Sequence, residues 1–222
     1  MKRKLLKLLI LTTIVSICVF IIYIFTKQDK INIVTLGDNS DYYSYIENYL
    51  KNNNKLGTYS TYTKTDETID SLNTRVNTTA SIKKDLREAN VVIISVGLND
   101  FYNKRIDINT HNILDIKDSI IDLFPKLDKL FNDIRKYAKY DVLLIGYYNP
   151  QPFLFNTNTL ELDVLFMYID SMVKDISKKY DIKYIPLYEL FKNNNYISND
   201  IYPNSKGNKA ISNEIIKYVK QN

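Results

Sequence analysis

The chain of 222 residues contains one cysteine, one histidine, five glycines and five prolines. Each scarcity excludes something. A lone Cys18 rules out an intrachain disulfide and a metal centre built on several thiolates. With His111 as the only imidazole, a metal site would have to be made of carboxylates. Asp38, Asp41 and Asp100 are the candidates for a weak hard-cation site, but solvation of loops explains them more simply. No metal and no cofactor are therefore expected. There is no P-loop and no G-x-G-x-x-G run, so the usual phosphate cradles are missing. So little glycine and proline also argues against long disordered linkers.

What is present fits one folded domain with an appendage: 45% hydrophobic and 25% charged residues over a length sufficient for one sizeable core. The net charge of +5 is not spread evenly. Lys2, Arg3, Lys4, Lys7, Lys27 and Lys30 face only Asp29 within residues 1–30, leaving 24 basic and 24 acidic residues in 31–222. The electrostatic footprint of a nucleic-acid binder is thus absent from the folded part, and no nucleic-acid partner is expected.

Residues 8–25 (LLILTTIVSICVFIIYIF) carry no charge. At about 1.5 Å per residue, a helix of this length just spans a bilayer core. Arg3, Lys4 and Lys7 precede it, which places the N-terminus in the cytoplasm and the bulk of the chain outside. The bulky stretch Val19–Phe25 offers no small-residue cleavage site, so a retained signal-anchor is expected instead of a cleaved leader. Ile17 before Cys18 argues against a lipoprotein signal. The expected division is 1–30 as basic tip and transmembrane anchor, and 31–222 as the domain.

Within the domain, β-branched runs alternate with helical spacing. Asn32–Leu36, Val91–Val96, Asp141–Ile145 and Tyr184–Pro186 read as buried strands, and Thr58–Thr63 as a more exposed one. Helical spacing covers Tyr42–Leu50, Ile69–Val76, Ile82–Ala89, about Ile113–Ala138 broken or restarted near Pro125, Leu160–Lys179 and Ser205–Val219. In Ser205–Val219, Ala210, Ile211, Ile215 and Val219 should point inward. This alternation predicts a parallel sheet covered by helices on both faces. In such sheets functional groups gather beyond the carboxyl ends of the strands. The loops to inspect are 37–41, 63–68, 97–112, 146–158 and 197–204.

Those loops carry a pattern. LGDNS (Leu36–Ser40) resembles the GDS block of SGNH, or GDSL, hydrolases, and VVIISVGLND (Val91–Asp100) resembles their strand-then-G-x-N-D block. LLIGYYNPQPF (Leu143–Phe153) is similar to a strand-then-YNP segment, and NDIYPNSKGNKAIS (Asn199–Ser212) keeps the frame of D-x-x-H-P-N-x-x-G. The four stand in the family's order across most of 31–222. The resemblance implies a three-layer α/β/α flavodoxin-like parallel sheet, here preceded by one N-terminal transmembrane helix. It also implies ester or acetyl hydrolysis by a serine, with a histidine base, an orienting aspartate, and an oxyanion hole of backbone N–H groups and the third-block asparagine.

The chemistry-bearing positions depart from that pattern. Asn39 stands at the serine, Tyr202 at the histidine and Asn199 at the aspartate, and Tyr62–Asp70 lacks the second-block glycine. An amide is no acyl-transfer nucleophile, and a phenol of ordinary pKa about 10 is a poor base at neutral pH. Gly97 and Asn99 survive, with Asp38, Pro203, Asn204 and Gly207 as scaffold. The leading expectation is a non-catalytic envelope protein whose cleft binds a glycan, an acylated polymer or a partner protein. Asp38, Gly97, Asp100, Tyr102, Tyr148 and Tyr202 are its candidate cleft residues, within an edge cluster that adds Tyr42, Tyr43 and Tyr147; in a chain of 19 tyrosines, plain core is the alternative for many of them. The alternative is a live esterase or deacetylase in which a shifted Ser40 attacks, His111 acts as base and Asn99 holds the oxyanion. Otherwise Ser40 is the N-cap of Tyr42–Leu50, with Asp41 in the first turn.

Overall fold

The computed structural model describes residues 12, 13, 15–17, 30–38, 40–102, 120–149, 159–192, 194–198 and 202–220. Strand β1 (Ile31–Asp38) leads into α1 (Tyr42–Asn52) and β2 (Leu56–Lys64). Helices α2 (Ile69–Thr78) and α3 (Ala80–Glu88) follow, then β3 (Val91–Ser95) and the short α4 (Leu98–Tyr102). The chain continues as α5 (Leu123–Arg135), β4 (Asp141–Ile145), α6 (Thr159–Lys179), β5 (Lys183–Ile185), α7 (Tyr188–Lys192) and α8 (Ser205–Val219). The five strands form one sheet in the order β2-β1-β3-β4-β5, and every pairing is parallel.

The two-residue period of each strand explains the layers. Val34, Leu36, Val92, Ile94, Val142 and Leu144 enter one core with α2, α3, α5 and α6. Their neighbours Ile33, Val91, Ile93, Leu143 and Ile145 enter the other, under α1, α7 and α8. Both faces are dry, which is why these strands read as unbroken apolar runs. On the β2 edge the partner sheet ends, and LGTYSTYTK stays partly exposed. The three-layer α/β/α parallel sheet expected from the sequence is present, with the flavodoxin-like strand order.

The restart expected near Pro125 is present: residue 122 is a turn and α5 begins at Leu123, with Pro125 in its first turn, where its missing N–H would have no helical acceptor. Some local expectations are corrected. Asp41, not Ser40, occupies the N-cap of α1, and no side chain caps that end. Ala210 is only half-buried, whereas Gly207, Asn208 and Ser212 join Ile211, Ile215 and Val219 on the inner face of α8. Among the described residues no helix is long and apolar enough to cross a membrane. The run 8–25 falls mainly outside the described residues.

Candidate functional site

In this strand order the chain reverses direction across the sheet between β1 and β3, and the crevice beyond their carboxyl ends is where ligands bind in open α/β sheets. Two glycines shape it. Gly37, at φ +100°, lies so close to β3 that a Cβ would sit 2.0 Å from the Ser95 carbonyl oxygen. Gly97, at φ +106°, is pressed by Tyr147, whose hydroxyl donates to the Val96 carbonyl at 2.9 Å. The first glycine lets β1 run against β3 to its end, and the second turns the chain from β3 into α4. Together they bring Asp38 and Asn99 face to face.

Asn99 is buried, and its Nδ2 donates to Asp38 Oδ2 at 2.9 Å and to the Glu67 carbonyl at 3.3 Å. An amide nitrogen carries two hydrogens, so both are directed at protein acceptors. The Glu67 side chain is fully buried and ion-paired to Arg75, whose other guanidinium nitrogen donates to the Tyr62 carbonyl at 2.8 Å. Asp100 Oδ2 accepts the backbone N–H of Ile69 at 2.8 Å, and Lys126 bridges Asp70 at 2.9 Å and Asp100 at 3.8 Å. The β2–α2 loop is thus held from below by Arg75 and from the side by Asp100.

The other wall comes from the segment before α8. Ile197 and Pro203 form an isolated antiparallel bridge, and the Asn204 side chain caps α8 by accepting from Lys206 N and Gly207 N, each at 3.0 Å. Tyr202 is thereby carried over the cleft, where its hydroxyl donates to Asp66 Oδ1 at 3.3 Å. Ser40 Oγ donates to Asn208 Oδ1 at 3.3 Å, and Asn208 Nδ2 in turn donates to the Pro203 carbonyl at 3.1 Å. A cleft of about 230 Å³ is lined by Asp38, Ser40, Asp41, Thr65, Tyr202, Pro203 and Asn208. A smaller cavity of about 40 Å³ continues inward past Ser95 and Leu98 to Tyr147 and Tyr148.

The sequence-predicted residues divide accordingly. Asp38, Ser40, Asn99, Gly97, Asp100 and Tyr202 do come together at one sheet edge. His111, Asn39 and Asn199 lie outside the described residues, as does the side chain of Tyr102. The expected aromatic platform is largely core: Tyr42, Tyr43, Tyr147 and Tyr148 are buried, and Tyr148 stacks on Phe191 at 4.3 Å between centroids. The reason is apolar area, since a ring buries more surface against the two helix layers than it would in water. Burial pushes the Tyr42 phenol up to about 12 against lowering by a hydrogen bond to Ser95, so it stays neutral. Glu67, Arg75, Asp66 and Asn208 escaped sequence reasoning. Glu67 and Arg75 are eight apart, outside the i+3 and i+4 spacing of helix neighbours. Asn208 did leave a trace, as a polar residue on the apolar stripe of α8. Among the described residues no group of His, Cys, Asp and Glu is arranged to hold a metal ion.

Burial raises the pKa of Asp100, partly offset by the Ile69 N–H and by Lys126. A carboxyl with a raised folded-state value favours the protonated form in the native protein, so it costs stability once ionised. The penalty should be absent below the ordinary aspartate range and complete above the raised value. Asp100→Asn should remove that slope: wild type loses stability relative to the variant as pH rises through this window. Urea denaturation across the acid range checks it, and parallel curves for the two proteins would refute it.

No curated protein matches the sequence. Among solved structures, the lipase Lip_vut3 from a goat rumen metagenome superposes with a TM-score of 0.67 at 19% identity, covering 85% of this chain and 97% of that one. A catalytic mutant of Axe2, an acetylxylan esterase from Geobacillus stearothermophilus, gives 0.63 at 13% identity, covering 85% and 94%. The acetyl xylan esterase AlAXEase gives 0.64 at 16% identity, covering 84% and 98%. At such identities these likenesses establish the fold alone. The sequence profile of the GDSL-like Lipase/Acylhydrolase family matches residues 28–215, and on that match the chain belongs to this family.

Proposed function

We propose that this protein is an envelope protein, held at the outer face of the membrane by residues 8–25, whose GDSL-like domain binds a ligand in its cleft without cleaving it. The observation that supports this best is the state of Asn99. In an acyl-transfer site the asparagine amide must aim at the developing oxyanion. Here its two hydrogens are directed at Asp38 and the Glu67 carbonyl. Ser40, a hydroxyl lining the cleft, is bonded to an amide oxygen, which cannot take its proton.

The ligand class follows from the lining. Ser40, Thr65, Asn208 and Tyr202 offer hydroxyl and amide groups, and Asp38 and Asp41 offer acceptors. Such a set matches the hydroxyls of a neutral glycan better than an anionic polymer. About 230 Å³ is below the roughly 300–1,000 Å³ of sites for drug-sized ligands, which suits a single sugar unit of a longer chain.

The test is fluorophosphonate labelling of folded, purified protein with mass mapping and a Ser40→Ala control. No labelling is expected. Label on Ser40 that disappears in the control would overturn the non-catalytic reading in favour of an esterase using Ser40. In parallel, saturation-transfer NMR with neutral wall oligosaccharides should show binding that Tyr202→Ala weakens at least severalfold. Binding unchanged by that substitution would remove the cleft as the site.

A further inference from the structure

The domain is neutral as a whole but polarised along the strand direction. All five strands are parallel, so the helices that return between them end at the amino edge of the sheet. Lateral bonds tie that edge together: Ile31 N to the Lys55 carbonyl, Asn90 N to the Asn32 carbonyl, Asp141 N to the Asn90 carbonyl, and Arg135 to the Tyr180 and Asp181 carbonyls. Lys30 with segments 51–55, 87–90, 135–141, 178–183 and 217–220 brings twelve lysines and arginines there against three carboxylates. Of those three, Asp141 pairs with Lys183 and Asp181 with Arg135, leaving Glu88 exposed, and Lys51, Lys136, Lys179 and Lys217 pair with Glu47, Asp133, Asp128 and Glu214 just outside these segments.

Six of the cations, Lys30, Lys55, Arg87, Lys139, Lys178 and Lys220, have no carboxylate partner among the described ion pairs. All but the half-buried Lys55 are exposed. Tyr140 stands among them, 59% exposed, an aromatic of the kind that settles at the headgroup level of membranes. Among the described residues the opposite edge has the opposite sign, even with Arg75 and Lys126 paired to Glu67, Asp70 and Asp100. Segments 38–41, 64–70, 98–102, 186–189 and 202–207 carry seven carboxylates against Lys64 and Lys206.

Cations at helix ends complement the helix dipoles, which accounts for some of them. It does not account for Lys30, Lys55 and Lys139, which lie outside the helices. The position of the edge supplies the rest. Ile31 begins β1 at this edge, and only residues 26–30 separate it from the apolar run ending at Phe25. Five residues reach at most about 17 Å, so the amino edge is the part of the domain kept nearest the bilayer.

Resting on the anchored reading above, we infer that the basic amino edge of the sheet docks on anionic phospholipid headgroups and holds the cleft pointing away from the membrane. Each lysine or arginine near such a surface contributes an attraction that decays within a Debye length. The eight residues of β1 span about 26 Å at roughly 3.3 Å per residue, so with the strands upright the cleft stands about that far above the docked edge. Its ligand is then something reached outward, in the wall or medium, and not a lipid of the same bilayer.

The test uses the full chain with Cys18→Ser, reconstituted into phosphatidylcholine vesicles with or without phosphatidylglycerol. A single fluorophore is placed at Tyr140→Cys or, at the cleft edge, at Lys206→Cys. A lipid bearing a headgroup quencher is added. Quenching at 140 should exceed that at 206 severalfold in anionic vesicles. It should fall in pure phosphatidylcholine, in molar salt, where the Debye length is about 3 Å, and in the Lys139→Glu, Lys178→Glu, Lys220→Glu variant. Equal quenching at the two sites, or quenching at 140 that ignores lipid charge and salt, overturns the docking. Circular dichroism confirms that the triple variant is folded, and Lys→Gln at the same positions gives a milder series.

Retention after alkaline carbonate extraction reports the anchor separately. A retained chain without edge-specific quenching leaves the anchor standing and removes the docking. A chain lost in carbonate that still co-sediments with anionic vesicles, and whose partition drops on the order of a hundredfold in the triple variant, supports the docking and removes the anchor.

Discussion

Gly37→Ala should cost about 4 kcal/mol, lowering the melting temperature by on the order of 10 °C. Two effects add. At φ +100° an alanine is strained wherever it has room, and here it has none. Its Cβ would sit 2.0 Å from the Ser95 carbonyl oxygen, a backbone atom fixed by the pairing of β1 with β3. The strands must separate at the site's own switch point, so the Asp38–Asn99 bond should loosen with them. Gly57→Ala is the contrast. Gly57 lies on the exposed edge strand β2, where the clash at 2.3 Å is with the side-chain oxygen of Asn32 on β1, and a side chain is able to rotate. That variant should lose only about 1 kcal/mol, the price of a disturbed surface hydrogen bond. Chemical denaturation of both checks the pair, and equal losses would mean that the close approach at Gly37 is not what the backbone requires.

Arg75→Met should destabilise the fold by about 3–5 kcal/mol, because it strands a carboxylate with no access to water. Glu67 is fully buried, and one of its oxygens already lacks a hydrogen-bond partner among the described residues. The Tyr62 carbonyl loses its donor in the same step. A double variant, Glu67→Gln with Arg75→Met, should recover a substantial part of the loss, since replacing both members of a buried pair costs much less than removing one. The four proteins form a double-mutant cycle. A coupling energy near zero would show that the pair does not hold the loop. The consequence reaches the cleft, because Glu67 also presents the carbonyl that Asn99 donates to, and Thr65 and Asp66 lie on the same loop.

Much of the fold was legible in the sequence. VVIIS and DVLLI are buried on both faces, so they show unbroken apolar character, which is itself the mark of a parallel sheet. Helix α8 was legible to its last residue, because its apolar stripe starts after a capping asparagine. The site was legible only in outline. LGDNS and G-x-N-D placed Asp38 and Asn99 on neighbouring loops, but nothing in either block says that their side chains bond to each other. The tyrosines stayed ambiguous for a related reason: a phenol at a strand's end serves equally as cleft wall or as core, and here Tyr148 does both, lining the inner cavity and stacking on Phe191.

The sequence by itself determined the strands and the longer helices, though not the short α4 and α7, and also which faces are apolar and that charge is concentrated at the N-terminal tip. These are local properties, carried by periods of two and about 3.6 residues. Tertiary structure decided the contacts between loops that follow different strands: Asn99 with Asp38 and Glu67, Tyr202 with Asp66, Ser40 with Asn208. It also decided the basic edge. Lysines at the ends of separate helices are unremarkable one by one along the chain, and become a single surface only because a parallel sheet returns every helix to the same side. Strand order is a global quantity, set by how two apolar faces close into layers, and no local spacing encodes it.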